Sequence, residues 1–390
     1  MPSFYQNDLF RSLAKTGRVD LEVIYARNLD EDRLLLGWQA NLNGYKYRFL
    51  DERRPVWDAS RTAYRQAGRM HILNGLWAVP AFASALSLLN VLGSRVVIYS
   101  EIPERLKYER FAAPQPKWKR LLQKAFSLFV VPRLSGVLSI SHFSADYFNE
   151  LGVAESLIYP FGYFRAEPQV PPPTRFTKKR ANVEITFVGR LVPLKRLDLL
   201  LEAAIPLLKE DSRLRLNFVG TGELLETLRA QVAESGCGER VSFEGTLSFD
   251  SIPARLARTD VLVLPSEGEG WGLVVNEALS VGTPVIISDR CGAADLIRDG
   301  ENGFIFRTGD AASLELCLRN FLAAPSEWAR WRRTAARIGG AISTEGIAPY
   351  LVECLQRAAS GRGEKPVPPW IKSWEQCQPE TSEAYYSSIV

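Results

Sequence analysis

The sequence predicts an α/β protein with two doubly wound parallel sheets, one in each half of the chain. Three observations predict it. Short β-branched runs alternate with helical patterns in both halves. The alternation breaks once, where Pro168, Pro171, Pro172 and Pro173 can continue neither a helix nor a central strand. Three strand candidates of the second half run directly into glycine-bearing turns, where open α/β sheets gather their ligands.

Taken in order, residues 1–165 form the first predicted domain. Its strands are expected at Leu21–Ala26, Met70–Asn74, Arg95–Glu101 and Gly136–Ile140. Helices are expected around Gln6–Lys15, Val79–Leu92, Lys117–Val131 and Ser144–Leu151. A doubly wound domain normally opens on a central strand, yet this chain opens on a helix pattern. The expected first strand is therefore either absent or encoded upstream of Met1. Residues 166–182 read as a linker. The second domain, 183–358, restarts with strands at Glu184–Val188, Leu214–Val219, Val241–Phe243, Val261–Leu264 and Pro284–Ser288. Its helices begin near Leu197, Glu223, Ser251 and Gly272, with a last one at Ala348–Arg357. Residues 359–390 are polar and Pro-rich with scattered aromatics and read as a tail.

At 390 residues the chain suits two domains of ordinary size. The net charge of +4 is too small for a nucleic-acid coat, so no nucleic-acid partner is expected. Five scattered cysteines form no CxxC pair, which argues against a disulfide framework or a zinc site and fits a reducing cytoplasm. The N-terminus lacks an apolar signal core, and no apolar run approaches the ~20 residues of a membrane span. A soluble or surface-bound cytoplasmic protein is expected.

The chemistry concentrates in three turns. In "FVGRLVPLKRLD", a strand ends at Gly189, then come Arg190 and Lys195; arginine grips a phosphate with two donors and lysine adds a point charge. "FVGTGEL" supplies Gly220 and Gly222 but lacks the third glycine of a dinucleotide fingerprint. "EGEGWGLVVNEA" places Gly270, Trp271 and Gly272 in a turn that opens into a helix. The amides of Leu273 and Val274 then face outward, a favourable place for an anion. Glu269 stands before the turn, and Glu277 stands one helical turn further in, where a carboxylate would repel phosphate but accept ribose hydroxyls.

Together these residues resemble the retaining glycosyltransferases of the large family four, which have the GT-B fold: two Rossmann-like domains facing a cleft. The hallmark is a strand ending Pro265-Ser266, followed by Glu269, seven residues and Glu277. Gly189, Arg190 and Lys195 match the diphosphate grip, and "GTPVIISD" and "DGENGFIF" match further landmarks of the second domain. The resemblance implies transfer of a sugar from a nucleoside-diphosphate sugar to an acceptor hydroxyl, with retention and with neither metal nor cofactor. Arg190 and Lys195 would hold the diphosphate, Leu273 and Val274 the sugar-side phosphate, Glu277 the ribose, and Glu269 a sugar hydroxyl. Leu247 would face the base. The sequence departs from the family in lacking its N-terminal glycine-rich loop. On the acceptor side, Glu101 stands where many relatives carry a histidine.

Other features have blander readings. Asp30-Glu31-Asp32 imitates a metal motif but sits in a polar connection without supporting ligands, and His71 and His142 suit packing or capping. Residues 117–131 carry Lys117, Lys119, Arg120 and Lys124 and no acid, with Trp118, Leu121, Leu122, Ala125 and Phe129 at helical spacing. This segment is either a core-packing helix or one that attaches to an anionic membrane surface, which would suit a lipid-linked or surface-polysaccharide acceptor. Two further readings stay open: a sugar-nucleotide epimerase or phosphorylase of the same fold, and an inactive nucleotide-sugar binder.

Overall fold

The computed structural model describes residues 1–29, 41–74, 79–102, 121, 123–168, 170 and 182–376. Asp30-Glu31-Asp32, most of the prolines of the linker, and Lys117, Lys119 and Arg120 lie outside the described residues. The first domain comprises α1 (Phe4–Lys15), β1 (Glu22–Tyr25), β2 (Lys46–Phe49), α2 (Pro55–Arg65), β3 (Met70–Asn74) and α3 (Pro80–Val91). It continues with β4 (Arg95–Ser100), β5 (Gly136–Ile140), α4 (His142–Glu150) and β6 (Ile158–Phe161). β4 and β5 form the buried centre of a parallel sheet ordered β3-β4-β5-β6. β1 and β2 form a separate parallel pair.

Side chains bridge the two sheets at their amino ends. Arg69, just before β3, donates to the carbonyl and the carboxylate of Asp20, just before β1, at 2.7 and 2.8 Å. Gln66 donates to Glu22 at 2.9 Å. The facing strands β1 and β3 are mostly half-buried, unlike the fully buried β5.

The second domain is unbroken. It contains β7 (Val183–Val188), α5 (Leu197–Glu210), β8 (Leu214–Val219), α6 (Leu225–Ser235), β9 (Val241–Gly245) and α7 (Ile252–Leu256). There follow β10 (Val261–Leu264), α8 (Leu273–Ser280), β11 (Val285–Ser288), β12 (Gly303–Phe306), α9 (Ala311–Ala323), α10 (Trp328–Ala341), α11 (Thr344–Ser360) and α12 (Pro369–Glu375). Its parallel sheet runs β12-β11-β10-β7-β8-β9. Every residue of β10 and β11 is buried, as expected for a sheet covered by helices on both faces.

Two differences from the sequence reading matter. The tail begins later than expected: α12 docks through Trp370 and Trp374, which are 3% and 2% exposed. Trp370 meets Phe164 of the interdomain crossover, with ring centres 6.0 Å apart. The spacing of four puts both rings on one helix face, and their burial outweighs the polar flanks. The segment around 117–131 is the second difference. Residues 123–125 continue into a π turn, Phe126–Val130, whose extra residue rotates the face. Phe126 and Val131 are buried, while Leu121 and Phe129 of the expected apolar face are 67% and 62% exposed.

The domains interlock through α11. Ser12 of α1 donates to Thr344 at 3.0 Å, and the Tyr350 hydroxyl donates to the Pro160 carbonyl at 2.9 Å. One hydrophobic core continues from Leu9, Val97 and Tyr99 into the second domain.

Candidate functional site

The three turns meet at the carboxyl ends of β7, β8 and β10. Gly220 explains how two of them come together: its φ is 135°, and a Cβ there would lie 1.9 Å from the Gly189 carbonyl oxygen. Gly220 and Gly222 thus let the second turn lie directly on the first. Arg190 is exposed at the rim, whereas Lys195 is buried at the end of a short 3-10 turn.

Lys195 is the join between the first and third turns. Its ammonium donates to both oxygens of Glu269 at 2.6 and 2.7 Å, and the Ser266 hydroxyl donates to Glu269 at 3.0 Å. The sequence reading gave Lys195 to a phosphate and Glu269 to a sugar; the structure makes them an ion pair. A ligand at this site therefore meets a lysine already oriented by its carboxylate.

Gly272, with φ 106°, precedes α8, and Leu273 and Val274 begin it. The first amides of a helix lack intrahelical acceptors, so these two face the turn. Trp271 does not face a ligand. Its ring is 2% exposed, its indole donates to Asn276 at 2.8 Å, and it fills the space above Gly162, where a Cβ would clash at 2.4 Å. It belongs to the core, and its apolar bulk accounts for that. Leu247, after β9, is half-buried against the same core.

Glu277 is buried within α8, and Arg165 of the crossover donates to it at 2.7 Å. Burial pushes its carboxyl above the usual range, and the Arg165 guanidinium pulls it back. Asn276 donates to the Tyr163 carbonyl at 3.0 Å, so the crossover lies along the helix that carries Glu277.

Across the cleft, Glu101 follows β4 and accepts a hydrogen bond from the Tyr163 hydroxyl. The Tyr163 ring lies 4.6 Å from that of Tyr5. Beside it, Ser141 has φ 72° and ψ 164°, a region nearly reserved for glycine that costs about 1–3 kcal/mol. His142 then reaches the second domain: its ring nitrogen lies 2.5 Å from Asp295, which also accepts the His142 amide at 2.9 Å. His142 is therefore an interdomain contact rather than a packed residue, while His71 bonds locally to the Gln66 carbonyl at 3.0 Å.

Arg165, Tyr163, Asn276 and Asp295 were not anticipated as part of the site. The run "FGYFR" before the linker was the available signal, since an aromatic-rich stretch ending in arginine is poor linker material.

Two facing parallel-sheet domains with the site in the cleft define the GT-B class. Anabaena HepE, solved with UDP, superposes with a TM-score of 0.69 at 17% identity, over 90% of this chain and 95% of that one. The lipopolysaccharide outer core galactosyltransferase WaaB superposes with a TM-score of 0.66 at 18% identity, over 92% and 94%. Residues 174–338 match the family model of glycosyl transferases group 1. A D-inositol 3-phosphate glycosyltransferase of Streptomyces avermitilis is 36% identical over 160 residues, 39% of this chain and 34% of that protein. A GDP-mannose-dependent alpha-(1-6)-phosphatidylinositol monomannoside mannosyltransferase of Mycolicibacterium smegmatis is 29% identical over 180 residues, 41% and 47%. The matched stretch spans a third to a half of those relatives' length.

Proposed function

We propose that the chain is a retaining glycosyltransferase that takes a sugar from a nucleoside diphosphate to an acceptor hydroxyl. The observation that carries this reading is the Lys195–Glu269 pair, 2.6 Å apart, set beside the amide-bearing start of α8. Cationic and amide donors thus converge where a diphosphate would leave, with carboxylates on either side for hydroxyls. As the anomeric C–O bond to the diphosphate breaks, Arg190, Lys195 and the Leu273 and Val274 amides take up the growing charge. The acceptor oxygen bonds the anomeric carbon from the same face, and its proton passes to the departing phosphate oxygen. Glu101, held by Tyr163, would orient the acceptor.

The relatives supply the substrate classes: HepE was solved with UDP, and the Mycolicibacterium relative is GDP-mannose-dependent and named for a phosphatidylinositol acceptor. A lipid-linked acceptor also suits the exposed Leu121, Leu128 and Phe129, which stand with exposed Lys124 and Arg133 as an apolar and basic surface patch. No helix of the described residues is long and apolar enough to cross a membrane, so attachment would be peripheral.

Calorimetric titration of UDP and GDP, followed by mass spectrometry of acceptor mixtures with UDP- and GDP-sugars, tests the reading. One nucleotide should bind, and its sugar should appear on an acceptor with its anomeric configuration kept. Donor consumed without any glycosylated product would refute transfer.

A further inference from the structure

The deepest carboxylate of the site has its partner on a segment that belongs to neither sheet. Arg165 lies on the crossover four residues beyond the end of β6, and its guanidinium meets Glu277 at 2.7 Å. The Glu277 side chain is 10% exposed, and its neighbours Val275, Asn276, Ala278 and Leu279 are all buried. The crossover is clamped at Arg165 and just before it. The Tyr163 carbonyl accepts from Asn276 at 3.0 Å, the Arg165 carbonyl accepts from Thr344 at 2.9 Å, and the Phe164 ring stands 6.1 Å from that of Trp271.

We propose that Arg165 is a positioning residue for the sugar nucleotide: it holds Glu277 as an oriented carboxylate whose remaining lone pairs receive the ribose hydroxyls. The inference rests on the donor-site reading above. A carboxylate offers about four lone-pair sites, and one guanidinium bond at Oε1 leaves Oε2 open. Protonated, the same carboxyl would present a donor on one oxygen and could no longer accept both hydroxyls. Burial favours that protonated form, and Arg165 opposes it.

The surrounding charges are committed elsewhere. Glu277 is the only ionisable group on α8. On α10, which lies along α8, Arg332 bonds Asp260 at 3.0 Å, while Arg333 and Arg337 are exposed. On α7, Arg255 holds Glu244 at 2.7 Å. Asp295 in the neighbouring turn holds His142, and Lys195 holds Glu269. Donor affinity therefore depends on the seating of the crossover, a segment that touches no nucleotide in this reading.

The experiment titrates UDP and GDP into the full chain and into Arg165→Met, Arg165→Lys and Glu277→Gln at about pH 6 and about pH 8.5. Each variant is compared with wild type at the same pH, which cancels the titration of the nucleotide's own phosphate. Arg165→Met should lose about tenfold or more at the lower pH and recover most of that loss at the higher, as Glu277 gives up its proton. Arg165→Lys should stay close to wild type at both values, and Glu277→Gln should be weakened equally at both. A loss in Arg165→Met that is the same at both values would mean Arg165 only braces the fold, and the assignment fails. Unchanged affinity in Arg165→Met would also overturn it. If Arg165→Met does not fold, an Arg165→Lys variant as weak as Glu277→Gln at both values overturns it. A wild type that binds neither nucleotide would overturn the donor-site reading itself.

Discussion

The two domains share a plan but differ in how completely they carry it out. In the second, six strands join in one sheet, and the turns at their carboxyl ends bring Lys195, Glu269, Leu273, Val274 and Glu277 together. In the first, the sheet is divided, and side chains of Arg69 and Gln66 bridge where backbone pairing would otherwise run. A buried parallel sheet fixes the strand ends that aim a catalytic turn, whereas a divided one leaves them to side chains. The site residues follow that difference. From the first domain come Glu101 and the crossover residues, and Tyr163 ties Glu101 to the crossover.

The packing of α12 against the crossover should show the largest effect of any substitution. Trp370 is buried against Phe164 and Tyr350, with ring centres 6.0 and 6.2 Å away. Trp370→Ala should cost about 3–5 kcal/mol in denaturant unfolding. Trp57→Ala on α2 of the first domain, at 54% exposure, should change stability by about 0.5 kcal/mol or less. Equal losses from the two would erase the contrast between the domains.

Next comes the charge at the proposed reacting centre. Lys195→Met should lower transfer by about 10²–10³-fold, since a preorganised donor to developing charge is removed. Lys46→Met, at an exposed pair with Asp20 in the first domain, should leave the rate unchanged. Rates for both variants with the donor identified by titration decide the matter.

Amide exchange sharpens the comparison more finely. An isolated pair of strands is marginal by itself. The amides of β1 and β2 should therefore exchange well before those of β10 and β11, whose residues are all buried. Matching protection across the two sheets would show that the division has no energetic consequence.

The same contrast governs what could be read from the sequence. The strands of the second domain announced themselves through their apolar residues, alternating with polar ones in Leu214–Asn217 and unbroken in Val261–Leu264, and both strands stand where expected. In the first domain, β2 reads Lys-Tyr-Arg-Phe and is partly exposed, so it lacks an apolar run. β6 contains Pro160, which counts against a strand in sequence but is tolerated here because β6 lies at the sheet edge. The motif residues were legible because their chemistry is local to three turns. What was not legible is pairing: nothing in the spacing of Lys195 and Glu269, or of Arg165 and Glu277, says that they meet. Those contacts are set by the close approach at Gly220 and by the path of the crossover.

The smallest effect is a titration that the chain's two histidines make easy to resolve. The hydrogen bond and charge of Asp295 raise the pKa of His142, and Asp146 adds to it, against a smaller opposing effect of burial. Burial lowers His71, and its bond to the Gln66 carbonyl only partly offsets this. The two should therefore titrate on opposite sides of about 6.5, the ordinary value. Their linkage to stability has opposite signs. The His142 contact stabilises the closed domain pair below the ordinary value and loses that effect as pH rises through the raised one. His71 favours the folded state while neutral, and that contribution is lost as pH falls through its lowered value. Because His142 is 47% exposed, its share should be no more than about 1 kcal/mol. Two-dimensional NMR of the imidazole resonances measures both. Asp295→Asn should lower the pKa of His142, since its largest raising cause is removed and burial is then opposed by Asp146 alone, and should leave His71 where it was. A His142 titration indifferent to that substitution would mean the two domains do not meet there in solution.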